Sequence, residues 1–196
     1  MEVIRPAQTV TIEGTTVNLT ETHLNPLFSV ITWTDEQSNE AFRPMPGAGG
    51  IRQVGPPFIP DIPPEAMNDE RFAAILTEAS RHLSARYVWG ASGPTTFDCS
   101  GFIHHVFSTA GIGWTHGRTT AQGYYNLSTP VTAENARPGD LVFFHSTHSG
   151  AFITHVGIYI GNGQMIHTGG NPAGVEFVNL NTPYWERHFY AFGRLS

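Results

Sequence analysis

Cysteine is almost missing from this 196-residue chain: Cys99 is the only one. One cysteine cannot close an internal disulfide, so it says nothing about redox compartment. It leaves three readings: an inert buried thiol, a metal ligand or a nucleophile. Charge is scarce too, at 13% of residues, with a formal net of −6 and no stripe of Lys and Arg. That excludes a broad nucleic-acid surface, which requires clustered positive charge. No apolar run approaches the roughly 18 residues that cross a bilayer, so no membrane-spanning segment is expected. Met1 to Pro6 lacks a basic stretch followed by an apolar core, so no signal peptide is read there. The chain is therefore expected to be cytoplasmic, or a mature or excised piece of something longer.

Glycine and proline are plentiful, at 21 and 14, beside 40% hydrophobic residues. This composition fits a loop-rich globular fold rather than a coiled coil or a disordered tail. The length suits one well-buried domain plus a short extra segment. Residues 1–65 read differently from the rest. Val10 to Leu19 and Phe28 to Trp33 alternate as strands do. Proline and glycine then crowd Arg43 to Gly50, Gly55 to Pro57 and Pro60 to Pro64, as in a loop or linker. A boundary is placed near residue 65, between an N-terminal extension (1–65) and a main domain (66–196). No internal repeat is present.

In the main domain, Phe72, Ile75, Leu76, Ala79 and Leu83 repeat as on one face of a helix, with Asn68 or Asp69 as N-cap. A second helix is expected from Asp98, with Phe102, Ile103, Val106, Phe107 and Ala110 inward and Gly111 as its stop. Arg137-Pro138-Gly139-Asp140 is a turn signal. After it, Leu141–Phe144, His155–Ile160, Gln164–Thr168, Val175–Leu180 and Tyr190–Leu195 read as strands. Helices first and strands after indicate an α+β domain with an antiparallel sheet.

Chemistry gathers around Cys99. Its position at a helix N-terminus puts it in the field of unpaired amides, which favours the thiolate and can hold a developing oxyanion. A nucleophilic thiol needs a base brought to it by the fold. Of ten histidines, His155 opens an apolar strand and His167 lies on the next, across a Gly161-Asn162-Gly163 hairpin signal. Register decides whether the two can cooperate. A two-residue Asn162-Gly163 loop pairs Gly161 with Gln164 and sends the two rings to opposite faces. A three-residue loop, with Gly163 at positive φ, pairs Ile160 with Gln164 and puts both rings on one face. The three-residue connection is therefore expected, with one nitrogen of His155 toward Cys99 and the other toward His167.

Six stretches carry a resemblance to a known family. They are Tyr87-Val88-Trp89-Gly90, Phe97-Asp98-Cys99-Ser100-Gly101-Phe102, Arg118-Thr119-Thr120-Ala121-Gln122, Arg137 to Phe144, His155 to Gly161, and Met165-Ile166-His167. Over roughly residues 70–196 the chain resembles the NlpC/P60 cysteine peptidases. The resemblance implies a papain-like α+β fold, with the nucleophile helix packed on the sheet that bears the histidine. It implies Cys99 as nucleophile, His155 as base and His167 as the polar residue that orients it. It further implies cleavage between γ-D-glutamate and a diamino acid in cell-wall stem peptides, without metal or cofactor. Export as part of a longer protein, to the cell wall, follows from such a substrate.

Substrate roles carried by the resemblance fall on Tyr87, whose hydroxyl would reach the reacting centre, and on Asp98 and Ser100, which would bind a free L-Ala amine. Arg118 could meet a substrate carboxylate. The plainer readings are an N-cap for Asp98, a packing aromatic for Tyr87, a solvated side chain for Arg118 and a turn residue for Asp140. The chain departs from the family at Ala91, where a second glycine is usual, and in a long Ser146–Ile153 segment that would form a flap at the cleft. Rival classes are a zinc hydrolase on His145, His148, His155 and His167, a non-catalytic wall-binding or phage-tail module, and a thiol amidase or acyltransferase. The zinc reading lacks a His-Glu-x-x-His motif.

Overall fold

A computed structural model of the chain describes residues 8–12, 15–19, 60–169 and 174–195. The chain divides into two compact units, Met1–Gly55 and Pro56–Ser196. In the first, β1 (Gln8–Ile12) and β2 (Thr15–Leu19) form an antiparallel hairpin. The strand expected over Phe28 to Trp33 lies outside the described residues.

The second unit is α+β. A 3-10 turn at Pro64–Asn68 leads into α1 (Glu70–Ser80), where Asp69 accepts from the Phe72 amide. Strands β3 (Arg86–Tyr87) and β4 (Thr96–Phe97) pair in parallel and lead into α2 (Cys99–Thr109). Next come α3 (Ala121–Leu127), β5 (Thr129–Val131), β6 (Leu141–His145), β7 (Ile153–Gly161), β8 (Gln164–Thr168), β9 (Val175–Asn179), α4 (Pro183–His188) and β10 (Phe189–Arg194). The sheet runs β5-β10-β6-β7-β8-β9, antiparallel throughout.

Both faces of this sheet are covered, which explains why β6 and β7 read as nearly continuous apolar runs. Leu141 and Phe143 point to one face, Val142 and Phe144 to the other, and all four are buried. Helices α2 and α3 pack on β7, and α1 packs on α2 through Phe72, Ile75, Leu76 and Ala79. The opposite face holds Val142, Phe144, Met165, Leu180 and Phe192, with Trp185 of α4 packed against them. Asp140 is both turn and brace: it accepts from the Arg137 amide and from two nitrogens of Arg194, at 2.7 and 2.8 Å.

Helix α1 stops at Ser80 rather than continuing to Leu83, which is 41% exposed. The chain turns at Ser84, φ +67°, to enter β3. The hairpin also differs from expectation. Asn162 and Gly163 both have positive φ, 47° and 67°, and Gly161 pairs with Gln164, so the connection is the two-residue loop. The register then shifts, and Tyr159 pairs with Met165. Ile160 and Gly161 (φ +94°) together face one residue, which is a β-bulge. The bulge shifts the pairing by one and restores the same-face arrangement that the three-residue loop was meant to provide.

Candidate active site

The position of Cys99 is built by a tightly held cap. One oxygen of Asp98 accepts from the Gly101 amide at 2.6 Å and from the Ser100 hydroxyl at 2.9 Å. The other accepts from the Gly90 amide at 2.8 Å and from Arg118 at 2.6 Å. Gly101 has no alternative at its position, because a Cβ would lie 2.0 Å from the Ala91 carbonyl oxygen. Cys99 is thereby fixed at the first position of α2, 8% exposed. The backbone amides of Val156, Ser100 and Cys99 itself lie near enough to its sulfur to favour the thiolate. The Val156 amide belongs to the peptide bond that follows His155, so the sulfur abuts β7 beside that residue.

The histidines meet as the bulged register requires. His155 Nε2 lies 2.9 Å from His167 Nδ1, with the rings nearly perpendicular. The residues are 8% and 2% exposed. Trp185 stacks on His155 at 5.5 Å and meets His167 edge-on at 5.1 Å. His167 Nε2 is 3.7 Å from Glu176 Oε1, across the β8–β9 pair. With Nε2 of His155 taken, Nδ1 is the nitrogen left for a thiol proton.

In front of Cys99 lies a cleft of about 330 Å³. Tyr87, Asp98, Cys99, Ser100 and Arg118 all line it, as does the His148–Ala151 loop. Arg118 is committed to Asp98 and to the Ser92 hydroxyl, so its guanidinium braces the cap instead of lying free. The loop is tied down at several points: the Ile153 amide donates to Gln122 at 2.9 Å, and the Thr147 amide to the Thr154 hydroxyl at 3.0 Å. Both ring nitrogens of His148 face carbonyl oxygens, of Ser149 at 2.7 Å and Thr154 at 2.9 Å.

Burial sets the protonation of the buried groups. It pushes the Cys99 thiol up to about 11, with the Asp98 charge adding to the rise and the three amides opposing it. It pulls His155 down to about 3, with His148 adding repulsion. His167 is also driven well below the ordinary imidazole value, by burial and then by His155. Desolvation of the buried thiol therefore outweighs the pull of the helix-terminal amides. Tyr87 is pushed up to about 12 by burial first and then by Cys99 and Asp98, so its hydroxyl remains a donor.

The family description that matches residues 84–194 is "NlpC/P60 family". The chain belongs to the NlpC/P60 family. Among relatives, it is 45% identical over 121 residues to the "Probable endopeptidase p60" of Listeria monocytogenes, covering 62% of this chain and 23% of that protein. It is 40% identical over 126 residues to the "Bifunctional muramidase/DL-endopeptidase CwlT" of Bacillus subtilis, covering 64% and 37%. The chain thus spans well under half the length of these curated relatives. A lipoprotein-like NLP/P60 structure from Staphylococcus aureus superposes with a TM-score of 0.59 and 33% identity, over 74% of this chain and 45% of that one.

Three parts of this NlpC/P60 site escape a reading of the sequence. Trp185 rides on a six-residue helix whose only local signal is Thr182-Pro183, a cap followed by proline at the first helical position. Gly157 lies where a Cβ would come within 2.6 Å of Met165 Sδ and 3.2 Å of His167 Cβ. Gln122 is in a quoted motif, but its contact with the Ile153 amide is 31 residues distant.

Proposed function

We propose that this chain is a cysteine endopeptidase of bacterial cell-wall stem peptides, cutting between γ-D-glutamate and a diamino acid. The observation that carries this is the 2.9 Å contact between His155 and His167 beside a helix-capped Cys99. Family membership and relatives named as endopeptidases support it. By the same reading the protein works at the cell wall, exported as part of a longer chain, and residues 1–65 take no part in the chemistry.

Resting thiol and imidazole are both neutral. As Sγ attacks the scissile carbonyl, its proton passes to Nδ1 of His155, and the carbonyl electron pair moves onto oxygen. His155 Nε2–H donates to the bare Nδ1 of His167, which fixes ring and tautomer. The oxyanion is met by the amides at the start of α2 and by the Tyr87 hydroxyl. Collapse breaks the C–N bond, and the amine leaves with the proton from His155. Water then attacks the thioester, His155 takes its proton, and the thiol is restored. Asp98 and Ser100 offer polar atoms at the cleft wall for a substrate amine, and Arg118 holds Asp98 in place for it.

Purified sacculi digested with the protein, followed by mass spectrometry of the muropeptides, test this. Fragments ending at γ-D-glutamate are expected from the native chain and none from Cys99→Ser or Cys99→Ala. Full activity in the serine variant would end the nucleophile assignment, and cleavage at another bond would end the substrate assignment.

A further inference from the structure

A second constellation lies away from the cleft, between α1 and α2. Glu78 near the end of α1, His82 one turn on, and His105 of α2 point ligand atoms at one another, all within 4.8 Å. Glu78 Oε1 is 3.3 Å from His82 Nε2 and 3.8 Å from His105 Nε2. None of the three lines the cleft.

The first contact is a long hydrogen bond, and the second is too long for one. An N–H···O bond spans about 2.7–3.2 Å, which the first distance exceeds slightly and the second clearly. Both spacings suit a shared ion. Metal–ligand bonds of about 2.0–2.2 Å at the centre of a tetrahedron set its ligand–ligand edges at roughly 3.3–3.6 Å. We propose that Glu78, His82 and His105 form a binding site for a zinc-class divalent ion, with the fourth position open to water.

The surroundings prepare the ligands for it. Arg81 binds the other Glu78 oxygen at 2.6 Å, leaving Oε1 for the imidazoles. Both rings pack against Phe97, at 4.9 and 5.3 Å, and against each other at 4.7 Å. Gly93 closes in on the far nitrogen of His105: a Cβ there would lie 2.9 Å from Nδ1. Side-chain exposures of 10, 13 and 17% leave an approach for an ion without flooding the site. A carboxylate with two imidazoles is a donor set that zinc accepts. Since Phe97 lies two residues before Cys99, the ion would fasten α1 to the segment that presents the nucleophile. The site stands on its own residues, whatever bond the cleft cuts.

The test uses the full chain carrying Cys99→Ala, because a thiol beside two imidazoles also attracts zinc. Metal-stripped protein is titrated with Zn²⁺ alone by calorimetry, and Tm is followed against zinc concentration. One equivalent is expected, with a Tm that climbs as zinc is added. Adding His105→Ala should abolish the binding. Adding Glu78→Gln should weaken it by more than the roughly 10–100-fold that loss of an outer-shell partner costs. Adding His155→Ala should leave it intact. Should His105→Ala fail to fold, Glu78→Gln, which keeps the side chain's length and a hydrogen-bonding oxygen, decides alone. Absence of saturable binding, binding unmoved by Glu78→Gln, or binding lost with His155→Ala would each overturn the site.

Discussion

His155 Nε2 reaches His167 Nδ1 at 2.9 Å because β7 carries one residue more than its partner. With the Asn162-Gly163 turn alone, the two rings would lie on opposite faces of the sheet. The bulge at Ile160-Gly161 reverses that. Its cost in pairing is small, because a bulge leaves one residue of the ladder unpaired.

The same shift brings Gly157 against His167, and a substitution there tests the arrangement. Gly157→Ala would drive a methyl into Met165 Sδ and toward His167 Cβ. Overpacking of this kind costs about 1–3 kcal/mol, so the protein should still fold with a lowered Tm. The His155–His167 contact should open, and kcat should fall while KM changes little. His155→Ala should cost the roughly 10²–10⁴ of a general base, and His167→Ala clearly less, since it orients rather than transfers the proton. A Gly157→Ala enzyme with native kcat would show that His167 does not govern the rate.

Much of this was legible in the chain. The α2 cap, the inward face of α1 and the β6–β9 strands follow from local pattern and capping chemistry. The hairpin was half legible. The Asn-Gly turn is a local signal and is present, whereas the bulge answers a packing demand from Gly157, Met165 and His167 that no local pattern encodes. Helix α4 is too short to display a period. The protonation of Cys99 was also out of reach, because the helix terminus is visible in sequence but the burial that overrides it is tertiary.

That protonation makes a testable difference. With the thiol near 11 and His155 near 3, the resting pair is neutral. Alkylation by iodoacetamide should then rise steeply with pH across the neutral range, following the thiolate fraction. A preformed thiolate–imidazolium pair would instead alkylate at a rate nearly flat with pH, and that result would reject the neutral pair.

Stability should follow the same groups. His155 has its folded pKa below the unfolded value of 6.5, so the unfolded chain binds more protons. Stability should fall as pH drops from 6.5 toward about 3, by up to ~1.4 kcal/mol per pH unit for one such group. Cys99 is raised from 9.0 to about 11, so its contribution should be lost as pH climbs through that window. Denaturant midpoints measured across pH check both limbs, and His155→Phe should flatten the acid limb.

The Asp98–Arg118 pair predicts an unequal pair of variants. Asp98 receives four hydrogen bonds, from Gly90, Ser100, Gly101 and Arg118. Asp98→Ala should therefore remove the α2 cap and leave buried donors unpaired, costing about 1–3 kcal/mol for each one left unsatisfied. Arg118→Ala removes one of the four bonds to Asp98 and the contact with the Ser92 hydroxyl, from a side chain that is 32% exposed, and should cost less. If thermal unfolding shows Arg118→Ala to be the more damaging, Asp98 is not the hub of the cap.

Trp185 offers the sharpest test of how the dry environment is maintained. Its indole stacks on His155, meets His167 edge-on and packs on Phe144 at 4.7 Å, so one side chain shields both imidazoles. Burial is the largest cause of the lowered His155 and His167 values. Trp185→Phe keeps an aromatic face and should leave the pH profile nearly unchanged. Trp185→Leu keeps apolar volume over Phe144 but exposes the rings. Water then solvates the imidazolium, and the His155 pKa should move up toward 6.5. The acid limb of kcat/KM should shift to higher pH, with kcat at its plateau much less affected. NMR titration of the His155 ring would follow the same shift directly. An unmoved acid limb in Trp185→Leu, with the fold intact, would mean that the sheet and α2 alone keep the histidines dry.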